Sequence, residues 1–316
     1  MKIANCKLQI EGKAGESHDE RSISKTIRRV LRNLQFSPPR RMQFAIVCLV
    51  LVIAATALAQ RSPFTRREYR PGMVDRGGVP EWKNDERFKS DVFTFVRVEF
   101  SSGYGGGRRG GGGWRTDYPD SDLNFSFRLQ ELTTLETDPN GVILRLTDER
   151  LFDYPWLYLI EPGGLYLSEA EVTALRRYLL NGGFLMVDDF WGEHEWDNFY
   201  REIKRVFPDR EPVDLPLEHE IFHCVFDLKI KPQVPSIHSD WQSGYTTDRP
   251  WDPTARDVHY RGLFDDKGRM MAIICHNTDL GDGWEREGES VEYFKQFAEK
   301  WSYPMGVNIV TYAMTH

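Results

Sequence analysis

The sequence predicts an α/β domain in which a mostly parallel sheet is covered on both faces by helices. Three observations carry that prediction. Short runs dense in Val, Ile, Leu and Phe recur at 92–100, 156–160, 184–187 and 269–275, apolar on both faces as buried parallel strands are. Stretches with helical spacing lie between the runs. Polar residues gather where the runs end, and in open parallel sheets ligands collect at strand ends.

The elements follow in order. Asp91 opens the domain, and 92–100 (VFTFVRVEF) reads as a buried strand. Residues 101–113 follow with eight glycines and two arginines, and then 114–119 (WRTDYP). Asp120 or Ser121 is placed to cap a helix over 122–133. Residues 142–146 and 156–160 are short strands. Ser168, with Glu171 three residues on, forms a capping box for a helix running to Leu180. Val172, Leu175, Tyr178 and Leu179 make its apolar face, and Asn181-Gly182-Gly183 ends it.

The strand 184–187 runs out on Asp188 and Asp189. Residues 196–207 form an amphipathic helix stopped by Pro208. The stretch 211–260, with prolines at 212, 216, 232, 235, 250 and 253, reads as irregular structure wrapped over the core. A strand at 269–275 leads into His276-Asn277-Thr278-Asp279, and helices at 289–301 and 305–315 close the chain.

The 316 residues are 40% apolar and 13% aromatic, enough to bury one large core or two small ones. Net charge is −7, but it is split along the chain. Residues 1–59 hold ten Lys/Arg and four Asp/Glu, so 60–316 hold 31 and 44, a net of −13. An acidic domain of this kind has no general attraction for nucleic acid or anionic lipid. The basic flank Arg40-Arg41, the apolar run 44–58 and the triplet Ala57-Leu58-Ala59 fit a signal peptide over 42–59, cut before Gln60. The rival reading is a retained anchor, although the run is shorter than the ~20 residues that span a bilayer. Export to the periplasm or beyond is therefore expected, with no stable membrane span after cleavage.

Residues 1–41 read as a basic extension or as sequence ahead of the true start, and 60–90 as a linker or docked arm. Cys224 and Cys275 remain after cleavage. An oxidising compartment permits a bond between them, while the apolar run around each favours a buried free thiol.

Three strand ends could carry chemistry. The first is the glycine-rich loop 103–113 with Arg108 and Arg109. It could cradle phosphate or be a plain surface loop; it lacks both the P-loop pattern and a dinucleotide fingerprint. Beside it Arg115, Asp117 and Tyr118 are placed to grip a small polar ligand. The second is 188–194 (DDFWGEH), where Asp188 and Asp189, with Glu193 and His194 close by, could bind a divalent metal or act as acid and base, and Trp191 could line a ligand cleft. Neighbouring side chains of an extended strand point to opposite faces, so only one of the two aspartates is expected to face the cleft and the other to cap the next helix.

The third is 276–285, where His276 could be a ligand or base, and Asp279 and Asp282 among glycines could bind a cation without matching an EF-hand. His219 and His223 have zinc spacing only if helical, and the surrounding prolines favour an extended chain that parts them. His238 and His259 read as isolated.

Several of these stretches resemble the bacterial DUF4159 family. They are 111–119, 182–192 (GGFLMVDDFWG), 215–223 (LPLEHEIFH), 274–285 (ICHNTDLGDGWE), and the ending from 303–306 (YPMG) to 312–316 (YAMTH). The resemblance covers nearly all of 91–316. The family is similar to class I glutamine amidotransferases and ThuA-like proteins, which implies a flavodoxin-like three-layer sandwich. Amidotransferases carry a nucleophilic cysteine at the sharp turn after this strand. Here that turn falls around 188–190 without a thiol, so glutaminase chemistry is not implied.

Two functions follow as expectations. One is binding of a small polar or carbohydrate-like ligand, or of an envelope protein, by Arg115, Asp117, Tyr118, Asp188, Asp189, Trp191, His276, Asp279 and Asp282. The other is a metal-assisted hydrolase, with a divalent metal on Asp188, Asp189, Asp279 or Asp282 and with His276 or His194 as base.

Overall fold

Each apolar run becomes a strand because it has side chains to bury on both faces. In the strand Trp156–Ile160 (β4), Trp156, Tyr158 and Ile160 join one buried cluster while Leu157 and Leu159 join another. The computed structural model describes residues 76–102 and 113–316. The expected basic extension at 1–41, the signal segment 42–59, most of the 60–90 linker and residues 103–112 of the glycine-rich loop lie outside the described residues. Those that are described fall in one compact unit beginning at Tyr69.

The chain order of strands is Val96–Glu99 (β1), Ser101–Ser102 (β2), Val142–Arg145 (β3), β4, Leu165–Tyr166 (β5), Phe184–Asp188 (β6), Val213–Asp214 (β7), His259–Phe264 (β8) and Met270–His276 (β9). Seven of them form one sheet in the order β3-β1-β4-β6-β9-β8-β7. The first five are mutually parallel, while β8 and β7 are antiparallel additions at one edge. The parallel strands, numbered as they occur along the chain, therefore lie in the order 2-1-3-4-5. The connection changes direction between β1 and β4. A two-stranded ribbon pairs β2 with β5.

The helices are Asp120–Leu132 (α1), Glu169–Leu180 (α2), Gly192–Val206 (α3), Leu280–Glu285 (α4), and a long closing helix. That last helix begins at Val291–Tyr293 (α5) and ends as Tyr303–Thr315 (α6). It widens to π geometry over Phe294–Ser302, immediately before Pro304, whose ring and missing N–H break the ordinary ladder. On one face of the sheet Phe125, Trp284, Phe297 and Ile309 pack against Phe95, Tyr158 and Met186. On the other, Leu175, Leu179, Phe199 and Ile203 pack against Val98, Leu157 and Val187. Burying such side chains contributes about 1.5–3 kcal/mol each. Among the described residues no helix is long and apolar enough to cross a membrane.

The Ser168–Glu171 capping box forms as expected. Other expectations are corrected. Asp120 and Ser121 lie inside α1 rather than capping it, and the Ser121 hydroxyl accepts from Arg97 instead. α3 begins at Gly192, a turn before Trp196, because the left-handed Gly192 turns the chain sharply after β6. The stretch 211–260 is mostly irregular but supplies β7 and the start of β8. Cys224 and Cys275 are both free thiols, as the apolar runs around them favoured, but Cys224 is exposed rather than buried. The arm from Arg76 is docked, with Trp82 Nε1 donating to the Thr137 carbonyl at 2.7 Å.

Candidate functional site

Because β1, β4, β6 and β9 run parallel, their carboxyl ends share one edge. At that edge the chain leaves each strand under strain. Four non-glycine residues among those described have left-handed φ: Asp117 (62°), Glu161 (48°), Asp189 (55°) and Asn277 (62°). Glu161 follows β4, Asp189 follows β6, Asn277 follows β9, and Asp117 lies in the loop leaving β1. Such a conformation costs on the order of 1–3 kcal/mol at each residue, and strain of this kind clusters at functional sites.

The loop carrying Asp117 is anchored from below. Arg97 in β1 is fully buried. Its guanidinium donates to the carbonyls of Trp114 (3.0 Å) and Thr116 (2.8 Å), to Ser121 Oγ (2.8 Å) and to Asp122 Oδ1 (2.5 Å). Asp117 sits between these tethers and is 9% exposed, and its Oδ2 has no hydrogen-bond partner. Glu161 accepts from the Gly113 amide, which closes the loop over the end of β4.

Asp188 and Asp189 are both buried. Asp188 does cap a helix, though not the next one. Its Oδ2 accepts from the Gly281 amide in the first turn of α4 (3.0 Å) and from the Tyr158 hydroxyl (3.1 Å). Asp189 escapes the alternation of an extended strand because its φ is positive. Its Oδ1 accepts from Trp191 Nε1 (3.0 Å), and its amide donates to the Thr278 carbonyl (3.2 Å), tying β6 to β9. Asp279 caps α4, accepting from the Asp282 amide at 2.7 Å.

The irregular stretch after β7 covers this edge. Its Val234 carbonyl accepts from the Asp279 amide (2.9 Å), its Ile237 amide donates to Asp282 Oδ2, and its Ser236 amide donates to Asp248 Oδ1 (2.6 Å). Two carboxylate trios result. Asp189, Asp248 and Asp279 each place an oxygen within 4.8 Å of the others, and so do Asp117, Asp282 and Glu285.

Burial, reinforced by mutual repulsion, pushes the Asp117, Asp189 and Asp279 carboxyls well above the usual range. Burial also raises Asp188 and Asp248 to about 7, Glu285 to about 8, and Glu161 less far. Among the described residues no cation pairs with Asp189, Asp248 or Asp279.

The other residues singled out from sequence are dispersed. His276 is buried, with its pKa pushed down to about 3, first by loss of solvent. Its Nε2 donates to the Gly192 carbonyl (3.1 Å), leaving Nδ1 to accept from Arg261 (3.1 Å). Both nitrogens of this neutral ring are committed to the scaffold. His194 is exposed on the first turn of α3, and Arg115 is exposed 5.5 Å over the Trp114 ring. Tyr118 is half-buried beside Arg97, and Trp191 is buried against Asp189.

His219 caps a short turn through Nδ1, while His223 bonds Asp227 (2.7 Å) and the Leu217 carbonyl (2.7 Å), so the two hold no common ligand. A shallow depression at the opposite edge, lined by Phe152, Tyr154, Tyr178 and Gly183, has Asp153 as its one charged group.

Glu161, Asp248 and Glu285 were not singled out from sequence. Glu161 had the same cue as Asp188, an acid directly after an apolar strand. Glu285 lies in the polar run after β9. Asp248 comes from the irregular cover and had no cue.

Residues 94–314 match the profile of a family described as a domain of unknown function, DUF4159. No curated protein matches the chain.

Proposed function

The chain belongs to the DUF4159 family, and from that premise we propose that it is an exported domain binding a small, hydroxyl-rich polar ligand at the acidic edge of its sheet. The observation that carries this reading is the convergence of Asp189, Asp248 and Asp279, brought from three separate segments to within 4.8 Å, with no basic side chain among the described residues paired to them. Carboxyls whose pKa is raised are partly protonated near neutrality, so they both donate and accept hydrogen bonds. A sugar hydroxyl needs the same pairing. Trp251, 76% exposed, and Tyr245, 46% exposed, flank Asp248 in sequence and offer aromatic faces of the kind sugar rings stack on.

The fold supports the reading. A parallel order of 2-1-3-4-5 is that of flavodoxin-like proteins, whose ligands sit where the order reverses, here between β1 and β4. Asp117 and Glu161 lie at that crevice. Export rests on the segment 42–59. A second reading, metal-assisted hydrolysis of such a ligand, is favoured by Asp188 and Asp248, whose carboxyls near 7 suit acid–base work at neutral pH.

Calorimetric titration of the purified chain with monosaccharides, oligosaccharides and polyols, in the presence of a chelator, tests the proposal. Binding weakened in Asp189→Asn and Asp279→Asn is the expected result. Sugar binding equally strong in both variants, or none in the parent either in chelator or with Mg²⁺, Ca²⁺ or Mn²⁺ restored, overturns it.

A further inference from the structure

The second trio differs from the first in its electrostatics. Asp117, Asp282 and Glu285 share their space with one guanidinium. Arg286 Nε lies 2.5 Å from Glu285 Oε2 and 3.6 Å from Asp282 Oδ1. Arg97, the other arginine near Asp117, is committed to Asp122 at 2.5 Å. If fully ionised, the three carboxyls would outnumber this guanidinium by two charges among the described residues. Partners account for only part of this oxygen set. Asp282 Oδ2 takes the Ile237 amide, whereas Asp117 Oδ2 is buried without any partner. A buried carboxylate oxygen with no donor has lost its hydration without gaining a hydrogen bond in return. It is therefore an independent pointer to a group missing from the trio.

The space around that oxygen is shaped by a glycine. A Cβ on Gly281 would stand 2.6 Å from Asp117 Oδ2 and 2.7 Å from the Tyr158 hydroxyl, so only glycine lets Asp117 lie over α4. The donor set is all oxygen, with no imidazole or thiolate among the three. That chemistry selects a hard cation such as Mg²⁺, Ca²⁺ or Mn²⁺ over zinc.

We propose that Asp117, Asp282 and Glu285 hold one divalent cation, which sits beside the Asp189–Asp248–Asp279 trio and supplies a positive centre for the polar ligand. The inference rests on the proposed ligand site, since it names the cofactor of that edge. The cation offsets the charge that the three carboxyls carry once ionised and gives Asp117 Oδ2 its partner. Oxygens of a bound polyol or oxyanion would complete the coordination shell.

The experiment is Mn²⁺ titration of the chelator-stripped full chain, followed by electron paramagnetic resonance and calorimetry and repeated with Mg²⁺ and Ca²⁺. One cation per chain is expected, with affinity falling at least about tenfold in Asp117→Asn and in Glu285→Gln. Thermal unfolding in chelator establishes that each variant is folded. Glu285→Gln, at the half-buried end of α4, serves if Asp117→Asn does not fold. Failure of all three ions to bind, or binding unchanged in Glu285→Gln, overturns the proposal. So does loss confined to Asp248→Asn, which would put the cation on the other trio.

The two readings fail separately. Sugar binding in chelator by a chain that takes no cation removes the metal and keeps the ligand site. Cation binding by a chain that takes no sugar does the reverse.

Discussion

The Tyr158 hydroxyl donates to Asp188 Oδ2 at 3.1 Å between the adjacent parallel strands β4 and β6, while Asp188 Oδ1, also buried, has no partner. This carboxyl has a single donor-rich side, and burial holds its pKa near 7. Tyr158→Phe removes one of its donors. The cost expected is about 1–3 kcal/mol at pH 8, where Asp188 is charged, and less at pH 5. Urea unfolding at the two pH values measures the difference, and equal losses at both would argue against a charged Asp188.

Stability should fall as pH rises. Asp188 and Asp248 are raised from 3.8 to about 7, and Glu285 from 4.5 to about 8. A raised folded pKa means the folded state holds the proton longer than the unfolded chain does. The stabilisation is complete below pH 4 and is lost as pH climbs through 7 to 8. In chelator, the unfolding midpoint is expected to decline between pH 5 and 8. Asp188→Asn, which is never charged, should flatten part of that decline. A midpoint that rises over this range would contradict the electrostatic description.

Arg97 is a structural keystone with a specific test. Its fully buried guanidinium bonds Asp122, Ser121 and two carbonyls of the Asp117 loop. Arg97→Met leaves Asp122 as an unpaired buried charge, and a loss of about 3–5 kcal/mol is expected in denaturant unfolding. Arg97→Met with Asp122→Leu should recover much of it.

Gly183 is expected to tolerate no side chain. A Cβ there would stand 2.3 Å from the Tyr178 ring, which is buried and pinned by its hydroxyl to the Tyr154 carbonyl at 2.9 Å. Gly183→Ala should cost about 1–3 kcal/mol by overpacking, read as a lower midpoint in thermal unfolding.

Thiol chemistry offers a fifth check. Cys224 is exposed with its pKa pushed up to about 11, and Cys275 is buried, with loss of solvent raising its thiol as well. Alkylation at pH 8 followed by peptide mass analysis should label Cys224 slowly and Cys275 only after unfolding. A peptide linking the two would contradict the arrangement.

The parallel strands were legible because burial on both faces leaves an apolar run that sequence alone displays. β4 matches its expected bounds at Trp156 and Ile160, and β6 extends by the one residue Asp188. β8 was hidden because HYRGLF carries His259, Arg261 and Gly262 toward an antiparallel edge with less to bury. The site was legible at the level of strand ends, since the apolar runs of β6 and β9 give way to polar stretches that hold Asp188, Asp189 and Asp279. Its closure was not legible. Asp189 defeats strand alternation through a single left-handed φ, and Asp248 arrives through the Ser236 amide from a stretch without periodicity. His276, attractive from its neighbours, is committed instead to Gly192 and Arg261.

Asn277 carries a consequence for how this edge can vary among related chains. Its Oδ1 accepts from the Gly192 amide at 2.8 Å, and its Nδ2 donates to the carbonyls of Thr254 (2.9 Å) and Asp257 (2.8 Å). Its φ of 62° suits glycine, asparagine and aspartate. Glycine lacks the amide, and aspartate lacks the donors. Substitution scanning should therefore find a single acceptable amino acid at 277, surrounded by positions that drift, and a lineage that lost it would have to rebuild the junction of three segments at once.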